Sequence, residues 1–152
     1  MIISGKQELP FDRARVWDYL NDPDVLRICT PGCESFRPME TDTYEAAIRV
    51  GIGPVSGVYQ GKMAIVDKNP PESYSIVASG QSALGSLDLR CDIRLGENQN
   101  DTVVVYQADV TVSGMLAGLG QRVLGGVAKI LVSQFFGNLK KEIQRREGSG
   151  AA

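Results

Sequence analysis

The chain contains no histidine. That absence removes the commonest general base, the commonest metal ligand and every Ser-His or Cys-His nucleophile pair. Any catalysis would have to run on carboxylates, Tyr, Lys, Arg or Cys. Cysteine is also scarce: Cys29, Cys33 and Cys91 are an odd number, which suits a reducing compartment better than a secreted disulfide framework. Strong charge of either sign is missing as well. A net charge of -2 without a basic stripe gives no reason to expect nucleic acid. No leader peptide is expected, since Met1-Ile2-Ile3-Ser4-Gly5-Lys6 runs straight into a strand-like pattern. The most apolar stretch, Met115 to Leu139, is interrupted by Gln121, Arg122, Lys129, Ser133, Gln134 and Asn138. Charges near a mid-bilayer depth are costly, so it reads as an amphipathic helix of a soluble domain. The default location is cytoplasmic.

What remains is ordinary for one globular domain: 152 residues, 43% hydrophobic and 22% charged. A single domain is expected over 1–147, with a flexible tail over 148–152. Ile2 to Leu9 alternates as a first strand. Asp12 and Asp22 are N-cap candidates, with Pro23 suited to a first helical position, so short helices are expected at Arg13–Leu20 and Pro23–Ile28. Six further strands are read at about 33–40, 43–50, 55–67, 73–80, 86–95 and 102–113. The clearest puts Leu87, Leu89, Cys91, Ile93 and Leu95 on one face against Asp88, Arg90, Asp92 and Arg94 on the other. Val104, Tyr106, Ala108, Val110 and Val112 share a face of the last strand. Leu116, Leu119, Val123, Val127, Ile130, Leu131, Phe135, Leu139 and Ile143 then recur at helical spacing. The fold class is α+β: a curved, seven-stranded antiparallel sheet around one long C-terminal helix.

In an antiparallel meander alternate connections share an end. One end collects Gly51–Pro54, Gly80–Gly85 and Ser113–Leu116, glycine-rich and apolar; the other collects polar loops. Gly57 and Gly61 share a strand face with Tyr59, Met63 and Ile65, and with Gly125 and Gly126 on the helix they suggest space beneath it. A pocket is therefore expected, lined by Ile48, Val50, Tyr59, Met63, Ile76, Leu87, Leu89, Tyr106, Val127, Leu131 and Phe135. Gly51, Gly53, Leu84, Met115 and Leu116 would shape its mouth, and Tyr59 and Tyr106 would be its hydroxyl donors. Alternation alone does not separate such a pocket from a dry core built of the same residues.

Three motifs have plainer readings. Gly118-x-Gly120 lacks the third glycine of a dinucleotide fingerprint, Val123 standing there, and no parallel βαβ unit follows. Cys29 and Cys33 fall short of the four ligands of a zinc site and read as structural thiols. Lys140, Lys141, Arg145 and Arg146 suit the negative end of a helix dipole, or attraction to an acidic membrane surface.

Four blocks carry a resemblance: Val16-Trp17-Asp18-Tyr19-Leu20-Asn21-Asp22-Pro23, Thr30-Pro31-Gly32-Cys33, Val50-Gly51-Ile52-Gly53-Pro54-Val55-Ser56-Gly57 with Gly61, and Gly114-Met115-Leu116-Ala117-Gly118-Leu119-Gly120. They and the element order resemble the START-like (SRPBCC) helix-grip superfamily, and within it the CoxG family of carbon monoxide dehydrogenase accessory proteins. The resemblance implies a non-catalytic accessory protein with a hydrophobic pocket between sheet and helix. Its partners would be a molybdenum hydroxylase of the CO dehydrogenase type and the inner face of the cytoplasmic membrane. It also implies a lipophilic guest, an isoprenoid (menaquinone-like) quinone or a lipid, with no covalent cofactor. Many members carry an extended C-terminal tail for membrane contact; this sequence stops at Ala152, so such a tail is expected to be either absent or removed. A cyclase- or hydratase-type enzyme of the same superfamily is the rival, and a docking protein without a ligand the third reading.

Overall fold

The structure, a computed structural model, describes residues 1–150. Ala151 and Ala152, the end of the expected tail, lie outside the described residues. Strand β1 (Ile2–Leu9) is followed by α1 (Arg13–Leu20) and α2 (Pro23–Cys29), then β2 (Cys33–Pro38), β3 (Thr43–Val50), β4 (Gly57–Asn69), β5 (Ser73–Ser82), β6 (Gly85–Asn98) and β7 (Asp101–Val112). The last element is α3 (Gly120–Gly150), and 3-10 turns at Gly53–Val55 and Gly114–Leu119 precede β4 and α3. The strands form one antiparallel sheet in the order β1-β7-β6-β5-β4-β3-β2. The sequence-expected α+β helix-grip architecture is thus present, with β5 two residues and β6 four residues longer than alternation indicated.

The helix starts follow their caps. Asp12 accepts from the Arg15 backbone N–H, and Asp22 from those of Asp24 and Val25, with Pro23 opening α2. Both helices bury one face: Val16, Trp17 and Leu20 from α1, and Val25, Leu26 and Cys29 from α2. Trp17 meets Tyr74 edge to face at 5.3 Å between ring centres, and Phe36 stacks on Tyr44 at 4.8 Å. Leu139 and Ile143 of α3 are fully buried in the same cluster with Leu9, Val104 and Leu95. The Thr102 hydroxyl, also fully buried, is satisfied by the Phe11 carbonyl at 2.7 Å.

Among the described residues, the side-chain hydrogen bonds and ion pairs of α3 lie in this half. Asn138 donates to the Cys29 carbonyl at 3.0 Å, Arg146 pairs with Asp24 at 3.0 Å, and Arg15 with Glu147 at 2.6 Å. Glu142, 7% exposed, takes both Arg145 and Arg146 at 2.6 Å. Those hydrogen bonds hold its carboxyl down at about 2. The basic cluster at the end of α3 is therefore partly spent: Arg145 and Arg146 are in ion pairs, while Lys140 and Lys141 stand exposed.

The opposite half of α3 is different. Among the residues of its most apolar 18-residue stretch, only 6% are buried, and the segment Gly114–Gly148 is long and apolar enough to cross a membrane by length and composition. The helix starts at Gly120, whose φ of +83° breaks it from the preceding turn. Leu116 and Leu119 therefore stand outside the helical phase. The inward face begins at Leu124 rather than at Val123, which with Ile130 is turned outward at 38% and 46% exposed.

Candidate functional site

Because α1, α2 and the C-terminal half of α3 fill one end of the sheet, the other end is covered only by the first turns of α3. There the sheet and helix enclose a partly open cavity of about 330 Å³. Ile3 of β1 with Met1 before it, Ile48 and Val50 of β3, Tyr59 of β4, Leu87 and Leu89 of β6, and Val110 and Val112 of β7 line the sheet side. Leu124, Val127, Ala128 and Leu131 line the helix side, and Val55 and Leu116 of the two 3-10 turns close the end.

Period-two alternation explains the sheet wall: Leu87/Leu89 and Val110/Val112 are inward pairs two apart, brought side by side by the Leu87↔Val112 and Leu89↔Val110 register. Ile3 reaches the cavity because β1 pairs with β7, Ile3 opposite Ala108. The end wall is pinned by backbone: the Leu116 N–H donates to the Leu84 carbonyl at 3.0 Å, and that of Ser113 to Ser86 at 2.9 Å. Of the three loops expected to gather at one end, Gly80–Gly85 and Ser113–Leu116 therefore meet.

Of the residues expected to line the pocket, the structure brings Ile48, Val50, Tyr59, Leu87, Leu89, Val127 and Leu131 together. It does not bring Met63, Ile76, Tyr106 or Phe135 to the cavity. All four pack with the filled end, Phe135 edge to face with Phe136 at 5.3 Å. They share a face with the lining residues but lie further along it, past the point where helices close the sheet. Tyr106 sits opposite Gly5 across β1 and β7, its ring lying over the position a side chain there would occupy. At the mouth, Leu116 is buried and lines the cavity, whereas Met115 is 70% exposed and Gly51 and Gly53 face solvent. Leu84 contributes its carbonyl rather than a lining side chain.

Gly61 also has a different role from the one expected. A side chain there would meet the Ser79 carbonyl at 1.8 Å, so this glycine lets β4 and β5 approach, Gly61 opposite Gly80, rather than hollowing the pocket. The lining residues the sequence reading missed are Met1, Ile3, Val55, Val110, Val112, Leu124 and Ala128. Val110 and Val112 carried a signal, since they share the inward face of β7; Leu124 and Ala128 were hidden by the phase break at Gly120.

The chemistry of the lining is uniform. Its one side-chain hydroxyl, that of Tyr59, donates to the Val55 carbonyl at 2.8 Å. The charged residues of β6, Asp88, Arg90, Asp92 and Arg94, are exposed on the outer face, where Arg90 pairs with Asp67 at 2.8 Å. Burial pushes the Cys29 and Cys91 thiols up to about 11, away from thiolate reactivity.

A family model described as the G subunit of carbon monoxide dehydrogenase (CoxG) matches residues 5–144. The chain belongs to the CoxG family. Among solved structures, a conserved protein from Geobacillus kaustophilus is similar at 35% identity and a TM-score of 0.92, over 95% of this chain and 96% of that one. A Chromobacterium violaceum protein (12% identity, TM-score 0.72, covering 92% and 94%) and a Thermus thermophilus protein (11%, 0.70, covering 96% and 99%) share the fold. Among curated proteins no sequence matches the chain.

Proposed function

We propose that this CoxG-family chain is a non-catalytic carrier of a lipophilic molecule, acting as an accessory protein that couples a molybdenum CO dehydrogenase-type enzyme to the membrane and its quinone pool. The observation that carries the reading is the cavity of about 330 Å³ enclosed by apolar side chains, at the lower end of the range for small-molecule sites. Burial of hydrocarbon there supplies affinity without any bond chemistry in the protein. An enzyme of the same fold needs free ionisable side chains converging on the guest, and the one polar side chain of the lining is the committed Tyr59 hydroxyl. The partner enzyme enters through the family description. The guest is an isoprenoid quinone or another lipid.

Peripheral contact with the cytoplasmic face of the membrane fits the helix. Met115, Val123 and Ile130 are exposed apolar residues on the segment that covers the cavity. Partial burial of such a face in the headgroup region would place the cavity beside its source of guest. Native mass spectrometry with solvent extraction of the purified protein tests the reading. A co-purifying quinone or lipid supports the carrier; no retained guest, together with no shift in melting temperature on adding quinones, overturns it.

A further inference from the structure

We infer, building on the carrier reading above, that the cavity takes only the hydrocarbon tail of an amphipathic guest and leaves its polar head at the mouth. A quinone ring or an ester head carries carbonyl acceptors that need donors once they leave water. The cavity has no side-chain donor to spare. Tyr59 is committed to the Val55 carbonyl. At the neighbouring turns, Ser56 donates to the Gly53 carbonyl at 2.8 Å, and the Ser86 and Ser113 hydroxyls bond each other. The Met1 amine gives one of its three N–H groups to the Val110 carbonyl at 3.0 Å and lies 3.7 Å from Asp109, an exposed residue of the outer face. Each buried carbonyl left unpaired weakens binding by roughly five- to a hundredfold, so a ring in this cavity binds worse than a chain of the same volume.

The dimensions agree. At ~30 Å³ per carbon-sized unit, the volume share of one water in the liquid, about 330 Å³ holds on the order of ten such units. Past Leu131 the next turn of α3, with Phe135 and Phe136, packs against the filled end, so the chain meets a floor there. A longer tail stays partly outside with its head. The reactive end of a quinone is then presented where a redox partner reaches it without the guest leaving the protein.

Isothermal titration of the full chain with 1-hexanol, 1-octanol, 1-decanol and 1-dodecanol, and with the tail-less quinone menadione, tests this. The expected result is a rise in affinity of roughly fourfold per methylene that levels off near decanol, with no saturable menadione binding. Menadione binding at least as tightly as decanol overturns the orientation and leaves the carrier reading standing. Absence of binding by every probe overturns both. As a control on location, Ala128→Leu, with its fold checked by circular dichroism, is expected to move the plateau to a shorter alkanol; an unchanged series in that variant places the binding elsewhere and overturns the inference.

Discussion

The Tyr59 hydroxyl donates to the carbonyl of Val55, four residues earlier and on the other side of the turn into β4, at 2.8 Å. The bond ties the end wall of the cavity to its sheet wall and leaves the lining without a free side-chain donor. Tyr59→Phe therefore acts on stability rather than on recognition. Loss of about 0.5–1.5 kcal/mol is expected in urea unfolding, with alkanol affinity changed by less than twofold. A large loss of affinity in a folded variant would assign the hydroxyl to the guest.

The two ends of the sheet should respond oppositely to side-chain volume. Leu139 is fully buried in the filled end, so Leu139→Ala is expected to cost about 2–5 kcal/mol. Val127→Ala, on a wall that already faces empty space, should cost less than about 1.5 kcal/mol. Ala128→Leu adds methylenes into the void and should raise the melting temperature of the guest-free protein. Thermal melts of the three variants check the ordering.

Gly61 is a test of strand approach. With the Ser79 carbonyl 1.8 Å from where a Cβ would stand, Gly61→Ala must separate β4 from β5. A loss of about 1–3 kcal/mol is expected, measured by chemical denaturation. A neutral result would show that the two strands are further apart in solution.

Acid should loosen the anchor of α3. Glu142 has its carboxyl held near 2 by Arg145 and Arg146, below its usual 4.5. A depressed carboxyl contributes its full stabilisation above about 4.5 and loses it as the pH falls from 4.5 towards 2. Allowing for solvent screening of its arginine partners, the contribution is on the order of 1 kcal/mol. Glu142→Gln should lower stability at pH 7 and flatten the stability curve across that window, as read from unfolding at several pH values.

Membrane contact through the cavity-covering helix predicts that Val123→Glu with Ile130→Glu abolishes sedimentation with phosphatidylglycerol vesicles while the melting temperature stays within about 4 °C, since exposed substitutions each fall within about ±0.5 kcal/mol. Retained sedimentation would move the contact elsewhere.

The sheet was largely legible because alternation at a period of two is a direct image of a one-sided sheet, and Leu87 to Leu95 shows it without a fault. The short helices announced themselves through Asp12, Asp22 and Pro23. The division between pocket and core was not legible. Leu89 and Ile93 are the same kind of residue on the same face of β6, yet one lines the cavity and the other packs in the filled end. Only the position of the helices along the sheet distinguishes them. Tyr106 lay beyond reach for a related reason: its place is set by Gly5, about a hundred residues earlier in the chain, across a β1–β7 pairing that local pattern does not encode. The helix phase failed at one residue, Gly120, whose left-handed backbone detaches Leu116 and Leu119 from the stripe that follows.

In the carrier reading a hydrocarbon guest enters between the sheet and the first half of α3. Methyl-labelled NMR of Ile, Leu and Val side chains during titration with 1-decanol tests it most directly. Saturable shifts are expected at Leu87, Leu89, Val110, Val127 and Leu131, with Leu139 and Ile143 unmoved. Shifts confined to exposed Val123 and Ile130, or none at all, would contradict it.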